Sequence, residues 1–186
     1  MINWLERTEL MVGIEKLEKL KQSHVFVAGV GGGGSYAVEQ SVRAGVGNIT
    51  LVDADVFNPS NRNRQLPALV STNGIKKVEV VKQRCLDINP ELNITISDQF
   101  LTEENIPLLF NQHYDFVVDA IDTLTPKVHL IYETVKRNIP LISSMGAGGK
   151  LDPSKIAISE VADSYNCKLA RMVRKRLHKL GVHDGF

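Results

Sequence analysis

Apolar residues recur along this chain in two rhythms, short unbroken runs and longer stretches with helical spacing. Leu10, Ile14, Leu17 and Leu20 share one helical face, with Glu15, Lys16, Glu18 and Lys19 on others, which predicts an amphipathic helix over residues 7–22 with Gly13 as its point of interruption. Residues 24–30, His-Val-Phe-Val-Ala-Gly-Val, form an apolar run that predicts a buried strand. A helix is expected over 33–44, a strand over 48–52, and a polar stretch over 58–65. Val78, Val81 and Cys85 turn inward from a helix over 74–88, which Asn89-Pro90 ends. Residues 93–97 alternate like a strand, and Thr102 with Asn105 signals the start of a helix over 102–110. A strand over 114–121 follows, then a helix over 126–137 with Pro126 in its first turn. A strand over 140–144 leads into the glycine-rich loop 146–149, and a further strand is expected over 156–159. The last element is a basic amphipathic helix over 168–180 with Leu169, Met172, Val173, Leu177 and Leu180 inward.

Strands alternating with helices imply an α/β fold, a doubly wound and mostly parallel sheet covered on both faces, with an added helix at each terminus. The 186 residues fit a single domain, and 43% hydrophobic with 23% charged residues is ordinary for a globular protein. A formal net charge of +1 gives no overall attraction to a polyanion, so any nucleic-acid surface is local. The two cysteines, Cys85 and Cys167, are too few for a four-cysteine zinc site and read as free thiols in a reducing compartment. The N-terminus lacks the apolar segment of a signal peptide, and no run approaches the roughly 18 apolar residues of a membrane span. The expected location is the cytoplasm.

The first chemical motif is Gly29-Val30-Gly31-Gly32-Gly33-Gly34, between a strand and a helix. Glycines at such a turn let a phosphate approach the backbone, and the helix N-terminus supplies free N–H groups. Gly29, Gly31, Gly32 and Gly34 are the candidate nucleotide-binding glycines, and Asp53, closing the second strand, is placed to accept from a ribose. This motif by itself serves NAD as well as ATP. The second motif separates them: Asp53-x-Asp55, then Ser60-Asn61-Arg62-Asn63-Arg64-Gln65, then Lys77. A dehydrogenase has no use for such a basic cluster, whereas a triphosphate does. Arg64 offers a bidentate fork, Lys77 a point charge, and Asp55 a carboxylate for Mg²⁺. The third is Asp119-Ala120-Ile121-Asp122, which puts Asp122 beyond the carboxyl end of a strand, where it can bind Mg²⁺ or cap the next helix.

Together these residues resemble the ThiF/MoeB/HesA superfamily, bacterial relatives of ubiquitin-activating enzymes built on a Rossmann-like domain. The resemblance covers residues 7–153. It implies that Gly31, Asp53, Asn61, Arg64, Gln65, Lys77 and Asp122 belong to an ATP site, with Arg64, Lys77 and Asp122 catalytic and Asp122 the Mg²⁺ residue. It further implies a homodimer in which Arg7 reaches the partner protomer's ATP.

Arg7-Thr8-Glu9-Leu10, Asn61-x-Asn63-Arg64-Gln65, Asp119-Ala120-Ile121-Asp122-Thr123-x-x-Pro126-Lys127 and Gly146-Ala147-Gly148-Gly149-Lys150-Leu151-Asp152-Pro153 resemble the tRNA threonylcarbamoyladenosine dehydratase branch of that superfamily. The absence of a Cys-x-x-Cys pair agrees. Asn166-Cys167 replaces the branch's Asp-Pro, and the chain is expected to be an adenylation domain without the branch's C-terminal portion. The resemblance implies ATP-dependent dehydration of a tRNA-borne threonylcarbamoyl group through an acyl-adenylate. Arg171, Arg174 and Lys175 on the basic helix would then contact tRNA phosphates. The alternatives are adenylation of the C-terminal glycine of a ubiquitin-like sulfur-carrier protein, with a sulfur-transfer partner, and a nucleotide-binding protein without turnover.

Overall fold

The computed structural model describes residues 3–186. Five strands, β1 (His24–Ala28), β2 (Asn48–Val52), β3 (Asn93–Ser97), β4 (Phe116–Asp119) and β5 (Leu141–Ser143), form one sheet in the order β3-β2-β1-β4-β5. Every pairing is parallel, as the alternation of elements required. Side chains of β1 face both ways. Val25 and Val27 join Val38, Val42, Val78 and Val81 on one face. Phe26 and Ala28 join Ile106, Tyr114 and Leu130 on the other. That double burial is why the strand reads as a continuous apolar run rather than an alternating one.

The first-named face is covered by α3 (Gly34–Ala44) and α4 (Lys77–Ile88), the other by α5 (Ile106–Leu109) and α6 (Leu124–Lys136). The helix expected over 7–22 is two, α1 (Glu6–Val12) and α2 (Ile14–Gln22), because Gly13 takes φ +84° between them. Only Leu17 of its apolar face is fully buried, while Leu10 and Ile14 are exposed. The helix expected over 102–110 shrinks to α5, since Thr102 and Asn105 bond each other's main chain in a turn before it. No strand forms over 156–159: Ile156 and Ile158 lie exposed in irregular chain that pairs with no sheet edge. Helix α7 (Lys168–Lys179) packs Val173 and Leu177 against Val128 and Ile131 of α6. Met172 and Leu180, expected inward, are exposed, because the packing of α7 takes only a narrow stripe of the helix.

Helices α3 and α4 are tied by Glu39, whose buried carboxylate accepts from Arg84 Nη2 at 3.1 Å and Arg43 Nε at 3.0 Å. Hydrogen bonding to Arg84 outweighs burial and holds its pKa below the ordinary 4.5. A depressed carboxylate stabilises the fold above its unfolded pKa, and that contribution disappears as pH falls through the lower folded value. Both arginines are about half exposed, so the contribution is about 1–2 kcal/mol. Thermal melts of Glu39→Gln and wild type should therefore differ most near pH 7 and draw together as the pH falls from 4.5 through the lower folded value. A gap that widens on acidification would contradict this.

Candidate functional site

The strand order reverses at β1, whose neighbours β2 and β4 lead to opposite sides, and a crevice opens beyond their carboxyl ends. Three hydrogen bonds extend the sheet into its rim: Gly29 N–H to Val52 O at 2.8 Å, Ala120 N–H to Ala28 O at 2.8 Å and Ser144 N–H to Asp119 O at 2.8 Å.

The glycines of the turn divide into two groups. At Gly34 an added Cβ would lie 1.8 Å from Gly29 O, and at Gly29, with φ +83°, it would lie 2.8 Å from Ala120 O. These two are required by the protein's own packing of α3 against the strand ends. At Gly31, Gly32 and Gly33 the nearest atoms are Gln65 Nε2 at 3.5 Å, Arg64 O at 3.7 Å and Ser144 Oγ at 3.7 Å. Here a side chain would fit, so the missing Cβ atoms leave a cradle between the turn and residues 64–65.

Residues 64–65 reach that position because the excursion between β2 and α4 is pinned at its feet. Phe57 N–H donates to Ile75 O at 2.9 Å, Gly74 N–H to Phe57 O at 2.8 Å, and Lys77 N–H to Asp55 O at 3.0 Å. Phe57 itself is buried. Within the loop, Asn61 Oδ1 accepts from Asn58 N–H at 2.9 Å and Asn61 O accepts from the N–H groups of Arg64 and Gln65. Asn61 therefore shapes the turn and keeps its amide NH₂ for a ligand.

The Arg64 side chain passes 3.8 Å from the Cβ position of Gly32 and is exposed, donating to Ser60 O at 3.1 Å and Asn63 Oδ1 at 3.0 Å. Gln65 is buried, and among the described residues its Oε1 is shielded from water without a hydrogen-bond donor. Such an orphan acceptor is costly unless a ligand supplies the missing donor.

Asp53 Oδ2 accepts from Val30 N–H at 2.9 Å and Oδ1 from Asp55 N–H at 2.9 Å, so one carboxylate locks β2 to the glycine turn. Lys77, almost buried, donates to Asp55 Oδ2 at 2.7 Å and stands 4.0 Å from Asp53 Oδ1. Asp55 is thus engaged by a lysine, whereas the sequence offered it as a Mg²⁺ ligand. Asp122 is exposed and makes no hydrogen bond among the described residues, and Thr123, not Asp122, occupies the cap position of α6. The free carboxylate suits Mg²⁺, which takes one or two protein carboxylates and completes its shell with water and phosphate oxygens.

Arg7 is exposed on α1. Leu5, two residues away, packs against Gly45 at the far end of α3. The 11 residues of that helix span about 16 Å, so the start of α1 sits at the end of α3 away from the glycine turn. On α7, Arg171 and Lys175 are exposed, but Arg174 donates to Val161 O at 3.1 Å and Ser164 O at 2.7 Å. Of the three residues expected at tRNA phosphates, Arg174 is thus the half-buried one, with Nη1 holding the preceding turn.

The two cysteines differ. Burial pushes the Cys85 thiol up to about 12, with Glu39 adding to the effect. At Cys167, the cap of α7, burial alone would raise the pKa, but N–H groups of Ala170, Gly146 and Leu169 together with Lys150 bring it below the ordinary value. Sequence spacing gave no role to Ser144, set over Gly33, and although Asp119 and Lys127 both stand in the quoted motif, it did not pair them.

The two kinds of glycine make opposite predictions. Gly34→Ala should cost more than about 4 kcal/mol or abolish folding, because backbone must move. Gly32→Ala should keep the wild-type melting temperature while weakening ATP binding by about tenfold or more, since the methyl occupies the cradle. Calorimetry on both variants checks this. Equal ATP affinity for Gly32→Ala and wild type would place the nucleotide elsewhere.

The model of the ThiF family matches residues 5–186. The chain is 46% identical over 185 residues to a tRNA threonylcarbamoyladenosine dehydratase of Bacillus subtilis, covering 100% of this chain and 73% of that protein. It is 38% identical over 177 residues to its counterpart in Escherichia coli, covering 94% and 66%. The crystal structure of the Escherichia coli dehydratase in complex with ATP superposes with a TM-score of 0.92 at 38% identity, over 95% of this chain and 74% of that one. The chain therefore spans about two-thirds to three-quarters of these relatives. With a match along nearly its whole length and the glycine turn, Asp53, Arg64 and Lys77 gathered at one crevice, the chain belongs to the ThiF family.

Proposed function

We propose that this chain is the adenylating core of a tRNA threonylcarbamoyladenosine dehydratase, binding ATP at the glycine turn and acting on tRNA in the cytoplasm. The observation that carries the reading is the pairing of an open glycine cradle with Arg64 above it and Lys77 beside Asp53. A triphosphate needs such a concentration of backbone N–H groups and cations. A dinucleotide does not. Kinship with the dehydratases, at 46% identity in one case, supports the substrate.

A free carboxylate is a poor electrophile because oxide would have to leave. The substrate carboxylate oxygen attacks the α-phosphorus of ATP, the α–β bridging bond breaks, and pyrophosphate departs. The neighbouring carbamoyl group then attacks the acyl carbon within the same molecule, AMP leaves with the carboxylate oxygen, and one proton is lost. Intramolecular closure has a large effective molarity, so no enzyme nucleophile is required. The protein's part is charge and position. Arg64 and Lys77 neutralise the triphosphate as charge moves toward pyrophosphate. For Lys77 this means exchanging Asp55 for phosphate oxygens. Asp53 keeps the glycine turn in place and offers its remaining lone pairs to the ribose. Asp122 is the residue to hold Mg²⁺, which when bound would supply further neutralisation of phosphate charge.

Arg171 and Lys175 of α7 are the proposed tRNA contacts. Removing Arg64 or Lys77 takes away charge-assisted bonds worth about 1.5–3 kcal/mol. Arg64→Ala and Lys77→Ala should accordingly lose about 10–100-fold in turnover. The assay is release of AMP and pyrophosphate with tRNA bearing threonylcarbamoyladenosine, alongside mass spectrometry of the nucleoside for loss of one water. If pyrophosphate release ignored that tRNA and answered instead to a small protein ending in Gly-Gly, the chain would be a carrier-protein adenylating enzyme.

The proposed assembly is a homodimer. Leu10 and Met11 on α1, and Leu151, Ile156 and Ile158 in the chain after β5, are each about four-fifths or more exposed, which a second copy would cover. Arg7, at the end of α3 away from its own crevice, would then serve its partner's. Mixing and re-equilibrating Arg7→Ala with Lys77→Ala, each nearly inactive alone, should restore about a quarter of wild-type turnover, because heterodimers carry one intact site. No recovery would confine Arg7 to its own chain.

A further inference from the structure

Asp119 and Lys127 are both wholly shielded from solvent, with Lys127 Nζ donating to Asp119 Oδ2 at 2.7 Å. Taking two charges out of water is expensive, and apolar residues of similar volume would hold the fold as well. The pair lies directly beneath the crevice. Asp119 Oδ1 accepts from Ile121 N–H at 3.1 Å, and Oδ2 also accepts from Ser143 Oγ at 2.6 Å. The Asp119 main-chain oxygen accepts from Ser144 N–H at 2.8 Å. One residue at the end of β4 thus ties together the turn that presents Asp122, the end of β5 that presents Ser144, and the first turns of α6. Asp122 hangs between two fixed points, Ile121 and Lys127, and Ser144 Oγ stands over Gly33.

We propose that Asp119 and Lys127 are a positioning pair for adenylate formation, setting Asp122 and Ser144 against the glycine turn, and that they act on turnover rather than on ATP binding. This rests on the adenylation reading above. The carboxylate positions through its acceptors, and the lysine balances its charge inside the fold. Asp119→Leu with Lys127→Met removes both functions while keeping a branched side chain at 119 and an unbranched one at 127. Asp119→Asn with Lys127→Met keeps Oδ1 as the acceptor for Ile121 N–H, lets Nδ2 donate to Ser143 Oγ in place of the bond Oδ2 accepted, and removes the charges.

The test uses the full chain with ATP and threonylcarbamoyl-bearing tRNA, and reads kcat, KM for ATP, melting temperature and amide hydrogen exchange at Ile121 and Ser144. The leucine double variant should melt within a few degrees of wild type and keep its KM within about twofold, while kcat falls about tenfold or more, the pattern of an interaction lost in the transition state. The asparagine double variant should return to within about threefold of wild-type kcat. Exchange at both amides should quicken about tenfold or more in the leucine variant only. Wild-type kcat in the leucine variant, an asparagine variant equally slow, or a loss confined to KM would each overturn the proposal. Should the leucine variant not fold, Ser143→Ala decides. It removes one bond to Asp119 and should lower kcat and quicken exchange at Ser144; no change in either overturns the proposal. If wild type itself shows no ATP-dependent turnover, the adenylation reading fails. Amide exchange then judges the positioning pair separately, and unaltered protection in the leucine variant rejects it.

Discussion

Helix α3 starts almost in contact with the strand it follows. Gly29 O lies where a Cβ on Gly34 would have to be, and the main chain of Ala120 closes the other side of Gly29. Two backbones this close leave no room for side chains, and the turn between them is forced outward over the crevice. From that approach follow the exposed N–H groups of the turn, the helix N-terminus aimed at a ligand, and the proximity of β4's end with Asp122. A wider spacing would keep the sheet intact and still separate Asp122 from the turn.

Around this fixed point the chain spends polar groups on geometry before any ligand arrives. Asp53 bonds the turn and its own strand end, Asn61 bonds its own loop, and Asp119 gathers three segments. Groups left with capacity are Arg64's exposed fork, Lys77 with its exchangeable partner Asp55, the orphan Gln65 Oε1 and the free carboxylate of Asp122. This division between scaffold and available groups is the chemical content of the site. It accords with a reaction in which the substrate supplies its own nucleophile and the protein contributes charge and placement.

The basic helix and the irregular chain before it illustrate the same division at the surface. Arg174 is drawn into holding a turn, while Arg171 and Lys175 remain in water. Ile156 and Ile158 look like strand residues by composition, but they pair with no strand among the described residues and stay exposed with Leu151.

Element order, the parallel sheet and the glycine turn were legible in the residues alone, because buried strands and amphipathic helices carry short-range periodicities set by backbone geometry. The same holds for Asp53, Arg64 and Lys77 as a set, since their places relative to strand ends follow from element order. Tertiary structure alone decided which glycines packing requires and which border open space, that Asp55 faces Lys77, that Arg174 Nη1 holds a turn, and that Asp119 meets Lys127 and Ser143. Those outcomes depend on which donor meets which acceptor across distant segments. Hydrogen-bond partnership is fixed by positions in space to a few tenths of an ångström, and no spacing along the chain encodes it.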